Sequence, residues 1–453
     1  MIKNVPPQGN DLKGIELNST LIQEEYAQRR HTLMSTLGAG SMAVVASAPT
    51  LLRNGDAHYP YRQHSDFYYL TGFKESDAVA VLLYDGAEVT FILFNRAQEA
   101  SQTLWTGPVV GQAGACDEYG AHEAYPIDDF PQYFLPLLKK CHTLHSIINH
   151  NPHWAEQLQQ ILKAANTHDG VSIRHQFMDL SGILHEQRLI KSASEIHLMS
   201  QAADMSAKAH QLLMEQCAPG KGEYVIEGYL LQYFYQQGCR HTAYESIIAG
   251  GENACVLHYV KNDSVLKNGD LLLVDAGVEY QYYASDVSRT FPVNGKFSSQ
   301  QKDLYTVVLQ AQLAGIAAVK PGASWGSIQE AIVDVITEGL LDLGLLQGNK
   351  SVLIEEKAYK VFYPHSSGHW LGLDVHDVGD YKVNNQWRSL QEGMVLTVEP
   401  GIYIAADNDN VPHHWRGIGI RIEDDVLVTA ENHRVLSAAV PKTVDDIETC
   451  MAS

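Results

Sequence analysis

The chain has 453 residues, enough for two or three domains with a large core, and its hydrophobic share of 45% is ordinary for a globular protein. A formal charge of −21 argues against nucleic acid as a partner, because the sequence lacks the Lys/Arg-rich face that phosphate binding needs. The six cysteines (116, 141, 217, 239, 255 and 450) contain no CxxC pair, which fits a reduced chain better than a disulfide framework or a thiolate zinc site.

The first residues, MIKNVPPQGNDLKG, contain no apolar core of a secretory signal, and no apolar run approaches the roughly 18 residues of a membrane span. The expectation is a cytoplasmic protein without a membrane partner. Residues 1 to about 20 read as a loose arm, and Leu21 to Leu37 as a charged first helix. From there to about residue 180 short strands alternate with helices. Val79–Tyr84 and Val89–Phe94, separated by Asp85-Gly86, carry a hairpin signal. Just before them, YPYRQHSDFYYLTGF (Tyr59 to Phe73) is dense in aromatics and reads as a strand and loop, with a substrate-contacting segment as the alternative.

The stretch Leu184 to Ser194 marks a boundary. It separates an α/β N-terminal domain (residues 1–185) from an α+β domain (186–441) and a C-terminal tail (442–453). Ser192 and Glu195 form a capping box that opens a helix running to Pro219-Gly220. Further helices are expected over Gly222 to Gln237, Ser299 to Val319 and Ser324 to Leu343.

Between these helices lies LLLVDAGVEYQYYASDVSRTF (Leu271 to Phe291), an apolar run that ends on Asp275, with Asp286 following in a second β-rich segment. A turn near Tyr280 and Gln281 sets these acids opposite each other, within about 5 Å on a hairpin. Two carboxylates so close call for a positive charge between them, most simply a divalent cation. A strand ending in a solvated turn is the plainer alternative.

Three later stretches carry possible partners. His365, His369 and His376 fall within HSSGHWLGLDVHD, where Gly368 and Gly372 and the lack of a Glu between the first two histidines argue against an HExxH helix. A glycine-punctuated loop and strand is expected, with histidines that are either structural or functional. Val395–Val398 repeats the earlier logic by ending on Glu399, broken at once by Pro400-Gly401. In Gly417–Asp424, period-two alternation puts Gly417, Gly419, Arg421 and Glu423 on one face and three isoleucines on the other. The glycines leave room for something to approach the sheet. Glu399 and Glu423 can face each other across the intervening loop. Two divalent cations balance the four carboxylates, and a bridging hydroxide leaves about −1, as in a binuclear site with metals about 3.5–4 Å apart. Oxygen-rich ligands with one imidazole favour Mn²⁺ and tolerate Co²⁺, Fe²⁺ or Zn²⁺. The alternative is four unrelated surface acids.

These segments resemble those of the pita-bread metallopeptidases, and among them the Xaa-Pro aminopeptidases (aminopeptidase P). VDAGVEYQYYASDVSRTFPVNGKF, HSSGHWLGLDVHDVG, MVLTVEPGIY and RGIGIRIEDD look like that family's signature segments in the same order. YPYRQHSDFYYLTGF and ESIIAGGENACVLHY match as well, so the resemblance runs from about residue 20 to 440. It implies a C-terminal pita-bread (creatinase/aminopeptidase-like) catalytic domain behind a smaller α/β domain. It also implies two divalent metal ions on Asp275, Asp286, His369, Glu399 and Glu423, with Asp286 and Glu423 bridging. His258, His365 and His376 take the places of the family's active-site histidines. Glu399 is expected to move a proton, Arg421 to hold a ligating carboxylate, and Tyr381 to support the site. Trp105 matches a tryptophan that covers a neighbouring subunit's site, which implies a homo-oligomer, a dimer or a tetramer.

The implied activity is hydrolysis of the bond before a penultimate proline in peptides, by a hydroxide held between the metals. A prolidase acting only on dipeptides is the alternative within the enzyme class, and a metal-free scaffold on the same fold is the alternative outside it. A methionine aminopeptidase fits less well, since it usually lacks so large an N-terminal domain, and creatinase-type proteins lack this metal set. The segment Asp380–Gln391 departs from the family pattern, and Arg388 within it is a candidate to line the pocket.

Overall fold

The computed structural model describes residues 19–148, 152–168 and 176–452. The arm expected over residues 1 to about 20 lies almost wholly outside them. The chain divides into two compact units between Arg188 and Leu189, inside the stretch where the sequence changes character.

In the first unit a six-stranded sheet runs in the order Glu123–Pro126, Val89–Asn95, Val79–Tyr84, Ser41–Ala46, Thr143–Ser146, Gln176–Asp179. Val79–Tyr84 is antiparallel to both neighbours, and the remaining pairs are parallel. The hairpin closes because Asp85 Oδ1 accepts from the amides of Ala87 and Glu88, at 2.8 and 2.9 Å, while Gly86 takes φ 107°. One face of the sheet packs Met42, Val44, Val81, Ile92 and Phe94 against the aromatics Phe130, Phe134 and Trp154.

Tyr59 to Phe73 departs from its expected strand. Ser65–Thr71 is a short helix, with the His64 side chain accepting from Asp66 N at its start and left-handed Gly72 at its end. Asp66 is buried and paired with Arg188 at 2.7 Å and His185 at 3.2 Å. The helix wins because a cap, a first-turn acid and a C-terminal glycine outweigh the β preference of the aromatics.

The second unit wraps helices around small antiparallel sheets. Ala193–Gln216 starts at the expected capping box, with both reciprocal bonds present. Glu223–Gln236, Ser299–Ala318 and Trp325–Asp342 follow within about two residues of their predicted bounds. One sheet is ordered Ser288–Pro292, Leu271–Asp275, Ile247–Gly250, and another Val395–Val398, Asp424–Val428, His433–Val435. Gly401–Ile404 pairs with Ile418–Arg421. The buried faces of these strands share one core with the helices. The residues set apart as a tail carry a helix, Val444–Cys450, and its Ile447 is fully buried in that core. Among the described residues no helix is long and apolar enough to cross a membrane.

Candidate metal centre

Asp275 ends the buried strand Leu271–Asp275, and the chain returns through a tight hairpin. The turn falls on Gln281 and Tyr282, both at positive φ (50° and 72°), one residue later than the sequence suggested. Asp275 therefore pairs with Ser288, and Asp286 sits diagonally, two residues earlier. The acids still meet, through a residue that the sequence reading missed: the Tyr244 phenol oxygen lies 2.6 Å from Oδ1 of each. Burial, then the charges of Asp275 and Asp286, push that phenol's pKa well up.

Glu399 and Glu423 face each other. Val398 pairs with Asp424 on one side and Gly401 with Arg421 on the other, so the register brings positions 399 and 423 opposite. Gly419 fills its expected role from within the chain, because a Cβ there would run into the backbone carbonyl of Ala254.

These elements converge on a cavity of about 550 Å³. Asp275, Asp286, His369, Glu399 and Glu423 line it, with His258, His365, His376, Tyr381, Arg421 and Tyr244. Arg388 is not among the lining residues. It is buried, its Nε donating to the Asp380 carbonyl at 2.6 Å. The segment around it, Asp380–Gln391, forms a two-residue hairpin between Lys382–Val383 and Gln386–Trp387, turned by Asn384 and Asn385.

The acids are held in place. Arg421 spreads its guanidinium over three partners: Asp275 Oδ2 at 2.6 Å, Tyr403 Oη at 2.9 Å and Ser288 Oγ at 3.0 Å. Ser288 Oγ in turn donates to Glu423 Oε2 at 2.7 Å. The backbone amide of Asp286 donates to both carboxylate oxygens of buried Asp425, at 3.1 and 3.2 Å. Behind them Asp424 is closed off by Arg289, Lys442, Gln312 and Ser437.

The histidines differ in role. His369 Nδ1 lies 2.9 Å from the Trp370 carbonyl, which can only accept, so Nδ1 carries the proton and Nε2 faces the acids. Nε2 is 3.2 Å from Asp286 and 3.7 Å from Glu399. His365 has both nitrogens engaged within the protein, Nδ1 with the Ser366 carbonyl at 2.8 Å and Nε2 with Tyr403 Oη at 2.9 Å. It ends a chain from Asp275 through Arg421 and Tyr403. His376 stands at the cavity with its ring edge-on to His369, centroids 4.4 Å apart. Tyr381 accepts from the Trp370 amide at 3.2 Å and stacks on the Trp370 ring, which steadies the residue after His369. His258 is exposed at the cavity wall.

The charge balance shows what the cavity is suited to hold. Five carboxylates line it, and Arg421 is the only Lys or Arg among the lining residues. Burial and mutual repulsion raise the pKa of Asp275, lift that of Glu423 well up and bring Glu399 to about 7. Burial works against charge on His369, yet Asp286 and Glu399 beside it hold its imidazole at about 9. One donor atom each from Asp286, His369 and Glu423 lies within 4.8 Å of the others. Oxygen donors in excess of local positive charge, with an oriented imidazole, suit hard or borderline divalent cations.

Comparison with known proteins agrees. Residues 197–430 match the family model for metallopeptidase family M24, and residues 26–145 that for the N-terminal domain of aminopeptidase P. A Haemophilus influenzae protein named Xaa-Pro aminopeptidase is 42% identical over 95% of this chain and 98% of its own length. An Escherichia coli protein of the same name is 38% identical over 96% of this chain and 99% of its own. The solved structure of Pseudomonas aeruginosa aminopeptidase PepP superposes with a TM-score of 0.93 at 46% identity, over 95% of this chain and 98% of that one.

Proposed function

This chain belongs to metallopeptidase family M24, and on that premise we propose that it is an Xaa-Pro aminopeptidase. It removes the N-terminal residue from peptides whose second residue is proline. The reading rests on the meeting of Asp275, Asp286, His369, Glu399 and Glu423 in one cavity beside Arg421 and three further histidines.

Asp275, Asp286, His369, Glu399 and Glu423 would hold two divalent ions, with Mn²⁺ the best-suited metal. Two such ions supply a hydroxide near neutral pH and a positive charge that polarises the scissile carbonyl. Arg421 aims Asp275 and works against the burial that raises the pKa of that acid. Glu399 accepts a proton from the attacking water and passes it to the proline nitrogen. His376, whose pKa burial and then the neighbouring His369 hold down, is a neutral donor to the developing oxyanion or the leaving group. His258 and His365 shape the pocket, His365 through Tyr403. Proline suits the site because its nitrogen brings no N–H to satisfy and its ring presets φ.

The proposal includes a homo-oligomer, supported by Trp105 and Leu104, each 85% exposed on the helix Ala100–Thr106. A cytoplasmic setting belongs to it as well, on the ground of the scattered cysteines.

The test is product analysis of metal-reconstituted protein with a Xaa-Pro dipeptide, a Xaa-Pro-Xaa tripeptide and a Met-Ala-Xaa peptide. Release of the first residue from the tripeptide is expected. Turnover of the dipeptide alone would make the protein a prolidase, and cleavage of Met-Ala-Xaa would remove the proline requirement. Silence on all three, with no metal by elemental analysis, would leave a scaffold.

A further inference from the structure

His376 makes no hydrogen bond among the described residues; its one ring contact is with His369. Its direction is therefore set by its backbone, and the next residue shows how. Asp377 Oδ2 lies 3.0 Å from Lys191 Nζ, and both side chains are only 1% exposed. Burying such a pair costs about as much in desolvation as the attraction returns, and an apolar pair of similar volume often serves stability equally well.

Both ends of the pair are anchored. The Lys191 amide donates to the Gly393 carbonyl at 2.8 Å, and a Cβ on left-handed Gly393 would press against Ile190 and the backbone of Lys191. The following residue, Ser192, caps the 24-residue helix Ala193–Gln216. At the other end, the Asp377 amide donates to the Trp370 carbonyl at 2.9 Å, and its carboxylate fills the place of a Cβ on Gly372. The Gly372 carbonyl accepts from Ala284 at 2.8 Å, two residues before Asp286. The loop from Trp370 to Asp377 is thus tied at one end beside the acids and at the other to a buried ammonium.

We propose that the Lys191–Asp377 ion pair is the positioning device for His376, fixing the loop so that an imidazole without hydrogen bonds of its own points into the cavity. What His376 then does rests on the peptidase reading above. The pair touches no substrate and acts through His376 alone.

A double-mutant cycle tests this. Lys191→Met is expected to lower kcat by about 10- to 100-fold, the range seen when a supporting partner is removed, with KM nearly unchanged. In a His376→Ala background the same substitution should bring less than about a twofold further loss, because its effect is transmitted only through the missing imidazole. Lys191→Arg should recover most of the activity. Equal fold-losses in both backgrounds would overturn the proposal. Should Lys191→Met fail to fold, the near-isosteric Asp377→Asn carries the same cycle. A second readout needs no turnover: in ¹⁵N-histidine-labelled, zinc-loaded protein, Asp377→Asn should move the His376 side-chain resonance and leave that of His258 in place. An unmoved His376 signal would sink the proposal. A wild type that cleaves no Xaa-Pro peptide would overturn the functional reading, and the resonance would still decide this one.

Discussion

Arg421 Nη2 and Asp275 Oδ2 lie 2.6 Å apart, 146 residues distant in sequence. The same guanidinium reaches Tyr403 and Ser288, so it braces one acid directly, a second through Ser288, and His365 through Tyr403. A lysine keeps the charge but cannot make three directed bonds from one planar group. Arg421→Lys should lower kcat/KM and metal affinity by about 10- to 100-fold. Steady-state kinetics and competition with a metal-sensing chelator measure both, and wild-type values would refute the bracing role.

The Tyr244 phenol stands 2.6 Å from two carboxylates and has one proton to donate between them, so its loss is felt first by the metal-free fold. Tyr244→Phe should destabilise the metal-free protein by about 1.5–3 kcal/mol, the range for a hydrogen bond to a charged group. Denaturant midpoints in chelator-treated buffer report this. An unchanged midpoint would mean that the phenol does not hold the acids together.

The raised pKa values carry a sign. Glu399 moves from 4.5 up to about 7 and His369 from 6.5 up to about 9. In both cases the folded state binds more protons than the unfolded one, so stability falls as pH rises. The Glu399 contribution fades between about pH 4.5 and 7, and that of His369 between about pH 6.5 and 9. Metal-free protein should therefore melt at lower temperature at pH 9 than at pH 6. Divalent metal should reduce or reverse that slope, because it replaces the protons. A flat metal-free profile would contradict the charge balance described for the cavity.

Asp286 stands between His369, Tyr244 and the Asp425 carboxylate. Asp286→Ala should abolish turnover and lower bound metal in elemental analysis. Chelation of the parent protein should do the same reversibly, with Mn²⁺ restoring activity. Retained activity in Asp286→Ala would refute its proposed part in holding the metal.

Gly419 admits the backbone of Ala254 against the strand Ile418–Arg421. Gly419→Ala puts a methyl group into that carbonyl and should cost about 1–3 kcal/mol, as overpacking does. The turn that it displaces, Gly251–Cys255, leads to His258, so kcat/KM should fall as well. Thermal melts and peptide kinetics would show both; a melt like that of the parent would show that the turn yields freely.

Much of this protein was legible in its residues. Apolar runs that stop abruptly on Asp275 and Glu399 announce acids at the ends of buried strands, and period-two alternation places Arg421 and Glu423 on one face. Such patterns are local: side-chain direction along a strand follows from the backbone alone. The helix bound at Ser192 was equally local, because a capping box closes within four residues. The hairpin register was decided by two residues at positive φ, Gln281 and Tyr282, whose preference for that region is weak enough that no sequence pattern marks it. Tyr244 and the Lys191–Asp377 pair were beyond reach for a different reason. A tyrosine, a lysine and an aspartate acquire meaning only from what the fold sets beside them, and contacts across 31 or 186 residues leave no trace in spacing. The sequence by itself marked Asp275, Asp286, Glu399, Glu423 and a cluster of histidines as candidates. Only the tertiary structure decided which of them meet, and which bonds aim them, because those choices are made by packing between distant segments.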